Sequence, residues 1–182
     1  LSFTQDDVKL NGWAIESRIY AEDPSRGFLP SSGRIHQYNE PTAENIRVDT
    51  GVYEGAGVSM FYDAMIAKVC SYGEDRKQAV NTMKDALSSF AIDGISHNIN
   101  FLEAIMKNKK FVDGNLTTNF IKEEFPKGFL GATLDSRDKI NLISAALFIF
   151  FRNFIRNSFI SGRATNRTKQ ISDRWVVDIN DE

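Results

Sequence analysis

The chain has 182 residues, of which 42% are hydrophobic and 25% charged, and its formal net charge is −2. This apolar content is sufficient for a core and excludes a largely disordered chain, and the absence of a basic excess argues against nucleic-acid binding. One cysteine and two histidines exclude a disulfide framework and a cysteine- or histidine-rich metal cluster, and the low cysteine content fits a reducing compartment.

The first part of the chain is rich in patterns typical of β-strands. Four segments are predicted to be strands: Trp13–Tyr20, Arg34–Tyr38, Ile46–Val52 and Ala64–Tyr72. The last of them is also compatible with the start of a helix. In the first, the period of two puts Glu16 and Arg18 on one face and Ile15 and Ile19 on the other.

Helical periodicity follows the strands. Apolar residues recur at spacings of three and four in three segments: Asp75–Phe90, Ser96–Met106 and Thr117–Phe125. Ser96 and Thr117 are of the residue types that cap helix N-termini. Strands followed by helices favour an α+β fold over an alternating α/β fold.

A longer helix is predicted in the last third of the chain, starting at a cap provided by Asp135 or Ser136 and ending near Ser158. Its central part, Leu142–Phe151, is apolar on every side. This part is too short to cross a bilayer, which needs about 20 apolar residues, so burial within the protein is expected. A strand is predicted at Trp175–Ile179.

The sequence predicts two domains, residues 1–125 and 135–182, joined by a linker at residues 126–134. Pro126 and Gly128 mark the linker, because both residue types interrupt regular structure. The chain starts at Leu1 and stops a few residues after the Trp175–Ile179 strand, so we expect a piece of a longer polypeptide.

Glu16 and Arg18 form the sharpest candidate site. Their Cβ atoms are expected roughly 6–7 Å apart on one face of a strand. There the carboxylate can orient the guanidinium toward a third, planar anionic group. The alternative is a surface salt bridge without a function.

Other polar motifs favour structural explanations. Glu22-Asp23-Pro24 is either a carboxylate pair for a metal or, as we favour, a turn. Gly51 to Gly57 lacks the Lys-Ser/Thr and the helix of a phosphate loop and is interpreted as a turn or a close-packing site. A structural ion pair is expected for Asp63, a packing or cap-region role for His97, and an anionic partner or a helix-end role for the basic stretch Arg152–Arg174.

Four separated motifs resemble the C-terminal part of biotin carboxylases. They are WAIESRIYAEDP, FLPSSGRI, RVDTGVYEGAGVSMFYDAMIAK and GEDRKQAVNTMKDAL. They follow one another in the family's order over about residues 1–125. Two further segments, GISHNINFL with its His97 and FVDGNLTTNFIKEEFPKGF, give the finer resemblance within the family, to the biotin-carboxylating subunits of propionyl-CoA carboxylases. Residues 130–182 resemble the start of their subunit-contact domain, a long helix embraced by a β-barrel. The expected fold is therefore an antiparallel α+β domain followed by a long helix that opens a truncated barrel.

The resemblance implies a ligase that carboxylates biotin with bicarbonate and ATP. In the family, carboxyphosphate breaks down to CO₂ and phosphate, and biotin N1 loses its proton and attacks CO₂. Arg18 occupies the position of the biotin-contacting arginine, which stabilises charge on the ureido oxygen. Glu16 is expected to orient it. Arg47 and Asp63 match positions at a biotin carboxylase dimer interface.

The resemblance also implies cofactors and partners. Biotin, ATP and Mg²⁺ or Mn²⁺ are expected in the full-length enzyme, with no metal site in this chain. The ATP-binding lobe and the biotinyl lysine are expected outside this chain, which alone should be inactive. A hetero-oligomer is expected, with a carboxyltransferase (beta) subunit and a biotin carboxyl carrier domain on the same polypeptide, without nucleic acid or membrane.

Two alternatives stay open at this point. The acyl-CoA substrate can be acetyl-CoA or another acyl-CoA, because the acyl-CoA pocket belongs to the partner subunit. A non-catalytic docking role is motivated by the apolar helix Leu142–Phe151. The expected compartment is a bacterial cytoplasm or a mitochondrial matrix.

Overall fold

The computed structural model describes residues 2–59, 61, 63–131 and 136–158. The chain divides into two compact units, Leu1–Ala132 and Thr133–Glu182. The strands are β1 Trp13–Tyr20, β2 Glu22–Asp23, β3 Leu29–Pro30, β4 Gly33–Arg34, β5 Gln37–Asn39, β6 Ile46–Thr50, β7 Gly57–Val58, β8 Met65–Gly73 and β9 Ala91–Asp93. The α-helices are α1 Arg76–Ser89, α2 Ile99–Lys107, α3 Lys109–Val112, α4 Phe120–Glu124 and α5 Ser136–Ser158, and short 3₁₀ turns lie at Gln5–Asp7 and Pro24–Arg26.

A three-stranded antiparallel sheet organises the first unit, with β8 between β1 and β6. The alternation predicted for β1 is confirmed, because Ile15, Ser17 and Ile19 are buried while Glu16 and Arg18 are exposed. The strand alternative for Ala64–Tyr72 is also confirmed, as β8. The mixture of helices with an antiparallel sheet confirms the predicted α+β class.

The predicted strand Arg34–Tyr38 is wrong as one continuous element. The structure divides it into β4, which pairs with β7, and β5, which pairs with β9. The division falls at Ile35 and His36, whose N–H groups donate to Ala56 and Asp93 instead of to one common partner strand. Ile35 is completely buried there, so the chain turns to place this side chain in the core.

Helix α1 covers the buried face of the sheet. Its inward-facing residues Ala79, Val80, Met83, Ala86 and Leu87 are all buried and join Ile19 and Val69 of the sheet in one core. The helix begins after the N-cap residue Asp75, whose carboxylate accepts the Gln78 N–H at 2.7 Å. That bond satisfies one of the donors left free in the first turn.

The N-terminal boundaries predicted for the next two helices are wrong. Helix α2 begins at Ile99 rather than Ser96, and α4 begins at Phe120 rather than Thr117. The Thr117 hydroxyl accepts the Asn119 N–H at 3.2 Å, so it stabilises the turn before the helix. Phe101 of α2 packs against an aromatic cluster in the loops, formed by Phe28, Phe125 and Phe129.

Helix α5, Ser136–Ser158, is the described part of the second unit and ends where predicted. Ser136 is already its first helical residue and Asp135 lies outside the described residues, so the cap stays a prediction. Burial of Leu142–Phe151 is not found, since Leu142 is 56% and Phe148 66% exposed, and no other described element of this unit covers them. The predicted Trp175–Ile179 strand, the β-barrel and most of the stretch Arg152–Arg174 lie outside the described residues. Among the helices described, none is both long and apolar enough to span a membrane.

Candidate functional site

One face of the three-stranded sheet is polar and open, and its register brings six side chains together. In antiparallel pairs, residues directly opposite each other point to the same face. Glu16 of β1 lies opposite Cys70 of β8, which lies opposite Arg47 of β6. The neighbouring row is Arg18, Lys68 and Asp49. We call these six residues the charged face.

The pair predicted from the sequence is formed on this face. Arg18 Nε donates to Glu16 Oε1 at 3.0 Å, and both side chains are largely exposed. The pKa of Arg18 is raised above its ordinary value, first by the hydrogen bond with Glu16 and then by that with Tyr20. Because an exposed ion pair contributes little to stability, its clearest effect is to orient the guanidinium. The catalytic role of Arg18 stays a prediction.

A second arginine lies on the charged face. Arg47 Nη2 is 3.2 Å from Asp49 Oδ2 and 3.7 Å from Cys70 Sγ. The pKa of Arg47 is raised, mainly by the negative charge of Asp49 and then by Cys70. Sheet register therefore places Arg47 and Arg18 on one surface, a relationship that their separation in sequence did not predict.

Lys68 lies between the two ion pairs. It is half-buried on β8, opposite Arg18 on one side and Asp49 on the other. No hydrogen bond or ion pair of its ammonium is found within residues 2–59, 61, 63–131 and 136–158. Each carboxylate of the face already contacts an arginine, so Lys68 leaves the face with an excess of positive charge.

Asp63 is not part of the charged face. Its Oδ1 accepts the Met65 N–H at 3.0 Å, so the carboxylate supports the turn that leads into β8. The prediction of a structural ion pair for Asp63 is wrong for the described part of the chain, where its carboxylate forms no ion pair. The interface role of Arg47 and Asp63 stays a prediction.

The turn interpretations of the other motifs are confirmed. Asp23 Oδ1 accepts from the Ser25 N–H at 3.0 Å and from its hydroxyl at 2.6 Å, and this hydroxyl bond is the main cause that lowers the pKa of Asp23. Gly55 has a φ of +89° and accepts from Arg34 Nε at 3.1 Å in the turn before β7. Among the residues described, no three His, Cys, Asp or Glu side chains are arranged to hold a metal ion.

His97 is a packing residue, as predicted. Its Nε2 lies 3.3 Å from the carbonyl oxygen of Ile92, which assigns the ring proton to Nε2, and its buried Nδ1 has no hydrogen-bond partner. Burial lowers the pKa of His97 below its ordinary value of 6.5. The neutral ring is therefore the form that the fold accommodates.

Asn98 is a site residue that the sequence reasoning missed. Its side chain hydrogen bonds to the backbone of Arg18 and of Tyr20, on strand β1. The sequence placed Asn98 inside the predicted helix Ser96–Met106, so no local signal pointed to this use.

Comparison with known proteins shows which class of protein this chain resembles. The propionyl-CoA carboxylase alpha chain of Ruegeria pomeroyi is 45% identical over an alignment 197 residues long, which covers 97% of this chain and 29% of the relative. The mitochondrial propionyl-CoA carboxylase alpha chain of Homo sapiens is 43% identical over 156 residues, which cover 84% and 21%. These relatives are biotin-dependent carboxylases, a class of ligases.

A solved structure agrees with this class. The biotin carboxylase domain of Hydrogenobacter thermophilus 2-oxoglutarate carboxylase, in complex with MgADP, ADP and bicarbonate, matches with a TM-score of 0.66 and 40% identity. The match covers 68% of this chain and 27% of that one. Residues 16–123 match the family described as biotin carboxylase C-terminal domain, and the chain belongs to this family. It spans less than a third of each of these relatives.

Proposed function

We propose that this chain forms the C-terminal part of the biotin carboxylase component of an acyl-CoA carboxylase, and that Arg18 contacts biotin. The observation that supports the proposal is the ion pair of Arg18 with Glu16 on the open charged face. Glu16 contacts only Nε, so the two terminal nitrogens of the guanidinium stay outside this ion pair. A guanidinium held in this way suits a planar polar group such as a ureido oxygen.

Biotin, when bound, would supply a ureido group whose deprotonation places negative charge on the ureido oxygen. Arg18 would donate to that oxygen and stabilise the charge, as an oxyanion-binding group does. Glu16 keeps the guanidinium in one orientation before the charge develops. Lys68, which no carboxylate of the charged face contacts, adds positive potential to the same face and so favours anionic reactants.

ATP and Mg²⁺ or Mn²⁺ belong, in this proposal, to parts of the enzyme outside this chain. The described residues contain no metal-ligand cluster, so no step with the metal is assigned to them. The proposed partners are a carboxyltransferase subunit and a biotin carboxyl carrier domain. The relatives are bacterial and mitochondrial, which supports a bacterial cytoplasm or a mitochondrial matrix as the compartment.

The test uses the full-length polypeptide that contains this chain. Arg18→Ala is expected to lower the rate of biotin-dependent ATP cleavage by ~10²–10³, the usual effect of losing one oxyanion donor, while ATP affinity stays unchanged. Arg26→Ala is the control, because Arg26 is exposed and lies outside the charged face. An Arg18→Ala enzyme as active as the Arg26→Ala control would reject the proposed role.

The substrate is proposed to be propionyl-CoA, which is supported by the names of the relatives. Its test is the specificity constant of the purified complex for propionyl-CoA and acetyl-CoA. A higher value for propionyl-CoA supports this part of the proposal, and a higher value for acetyl-CoA contradicts it while leaving the biotin carboxylase function intact.

A further inference from the structure

Asn98 occupies the N-cap position of α2 without acting as a cap. Its side chain makes no hydrogen bond to the first turn of the helix. The residue is only 6% exposed, although asparagine is rarely buried to this extent without partners. Its hydrogen-bonding groups are therefore used elsewhere.

The partners of Asn98 are backbone groups of β1. Its backbone N–H donates to the Tyr20 carbonyl at 3.2 Å, and its Oδ1 accepts the Tyr20 N–H at 2.9 Å. Its Nδ2 donates to the carbonyl of Arg18 at 3.1 Å. Because β1 is the edge strand of its sheet, these groups face away from β8, and Asn98 pairs with them as a neighbouring strand would.

The same part of β1 is where its pairing with β8 becomes irregular. Ile19 lies opposite Ala67, whereas Tyr20 lies opposite Met65, so the register shifts between these two neighbours. The extra residue, Ile66, lies on β8, and a shift of this kind interrupts the ladder between the two strands. The hydrogen bonds of Asn98 to Arg18 and Tyr20 bracket the irregularity and restrain the backbone there.

We propose that Asn98 is a positioning residue for Arg18. By restraining the Arg18 carbonyl and the Tyr20 peptide, it sets the direction in which the Arg18 side chain leaves the sheet toward Glu16 and the reactant. This inference rests on the proposed function of Arg18 in biotin carboxylation. It adds a residue of α2's N-terminus to a site otherwise built by three strands.

Asn98→Asp and Asn98→Ser separate positioning from folding. The aspartate has the same shape, keeps an acceptor for the Tyr20 N–H and replaces the donor to the Arg18 carbonyl by a second acceptor. The serine is smaller and cannot make both side-chain bonds. Asn100→Ala is the matched control, since Asn100 is exposed on the same helix.

Kinetics of the full-length enzyme give the first readout. Asn98→Asp and Asn98→Ser are expected to lower kcat/KM for free biotin by roughly 10- to 100-fold, as small misplacements of a reacting group do, with the KM for ATP unchanged. Partial unfolding alone would reduce the amount of active enzyme and lower kcat without changing either KM. That result, or kinetics equal to those of Asn100→Ala, would overturn the inference.

A spectroscopic readout on the 182-residue chain is independent of turnover. The ¹⁵N-labelled Nε–H signal of Arg18 is assigned by its loss in Arg18→Lys. In Asn98→Asp it is expected to shift, because the hydrogen bond to Glu16 changes, and it should not move in Asn100→Ala. If Asn98→Asp leaves the signal in place, the inference fails.

If the wild-type enzyme shows no biotin-dependent ATP cleavage, the proposed function itself fails.

Discussion

Arg18 and Lys68 lie directly opposite each other on β1 and β8, so two cations are neighbours on the open face of the sheet. Like charges in such cross-strand pairs are unfavourable. Glu16 pairs with Arg18 and Asp49 pairs with Arg47, so no carboxylate of the charged face is left to pair with Lys68. An excess of positive charge is thus retained beside the residue proposed to contact biotin.

We expect Lys68→Gln to affect activity more than stability. No ion pair of Lys68 is lost within the part of the chain described, so the free energy of unfolding should change by less than about 0.5 kcal/mol. The KM for bicarbonate should rise at low salt, and this rise should shrink as salt screens the field. Steady-state kinetics at two ionic strengths measure it, with Lys77→Gln, exposed on α1, as the control. A rise in KM that is independent of salt would contradict the electrostatic explanation.

Glu16→Gln removes the charge of the residue that contacts Arg18 Nε but retains an acceptor oxygen. We expect the urea midpoint of unfolding to stay unchanged, since exposed ion pairs contribute little. The rate of biotin-dependent ATP cleavage should fall, though less than in Arg18→Ala, because the guanidinium itself remains. An equal loss in both variants would show that Glu16 does more than orient Arg18.

The burial of His97 leads us to expect that the free energy of unfolding depends on pH. Burial lowers its pKa in the folded state below the ordinary value of 6.5, so the unfolded state binds more protons as the pH falls through 6.5. The stability contributed by neutral His97 is therefore present above about pH 6.5 and is lost below it. Urea unfolding at pH 7.5 and 5.5 should show a smaller difference in His97→Gln than in the wild type.

The control for this measurement is His36→Gln, because His36 is exposed. Its difference in stability between the two pH values should match that of the wild type. The carboxylates whose pKa is lowered, such as Asp7 and Asp23, lose their contributions only at lower pH and do not interfere. Equal pH dependence in His97→Gln and the wild type would exclude His97 as the source.

A substitution at Leu87 of α1 tests how far the stability of the first unit depends on the packing of this helix against the sheet. The side chain is 1% exposed in the core. Leu87→Ala is expected to lower the free energy of unfolding by about 2–5 kcal/mol through lost burial and a residual cavity. Leu130→Ala, at an 81% exposed leucine, should change it by less than about 0.5 kcal/mol. Urea denaturation measures both, and a small effect at Leu87 would indicate that the core readily collapses around the gap.

Local patterns in the sequence determined the elements that carry the candidate site. The alternation in Trp13–Tyr20 correctly placed Glu16 and Arg18 on one exposed face, because side chains of a strand alternate regardless of what the strand pairs with. The turn at Asp23 was also predictable, since its hydrogen bonds join residues two apart. These features depend only on neighbouring residues, and so does the periodicity of α1.

Long-range partners were decided by the tertiary structure alone. Strand register placed Arg47, Cys70 and Lys68 beside Glu16 and Arg18, and no periodicity within one segment specifies the register between segments. The division of Arg34–Tyr38 has the same origin, because its two halves pair with different strands.

Asn98 shows most directly how long-range partners differ from what local sequence patterns predict. The periodicity placed it inside the predicted helix Ser96–Met106, yet the fold brings it against β1, where its side chain pairs with the Arg18 carbonyl and the Tyr20 N–H. A buried carbonyl or N–H without a partner costs more than an uncapped first turn that water can reach. The sequence by itself therefore determined which faces are polar and which are apolar. Packing decided which polar groups meet, because only the folded chain determines which backbone groups are removed from water.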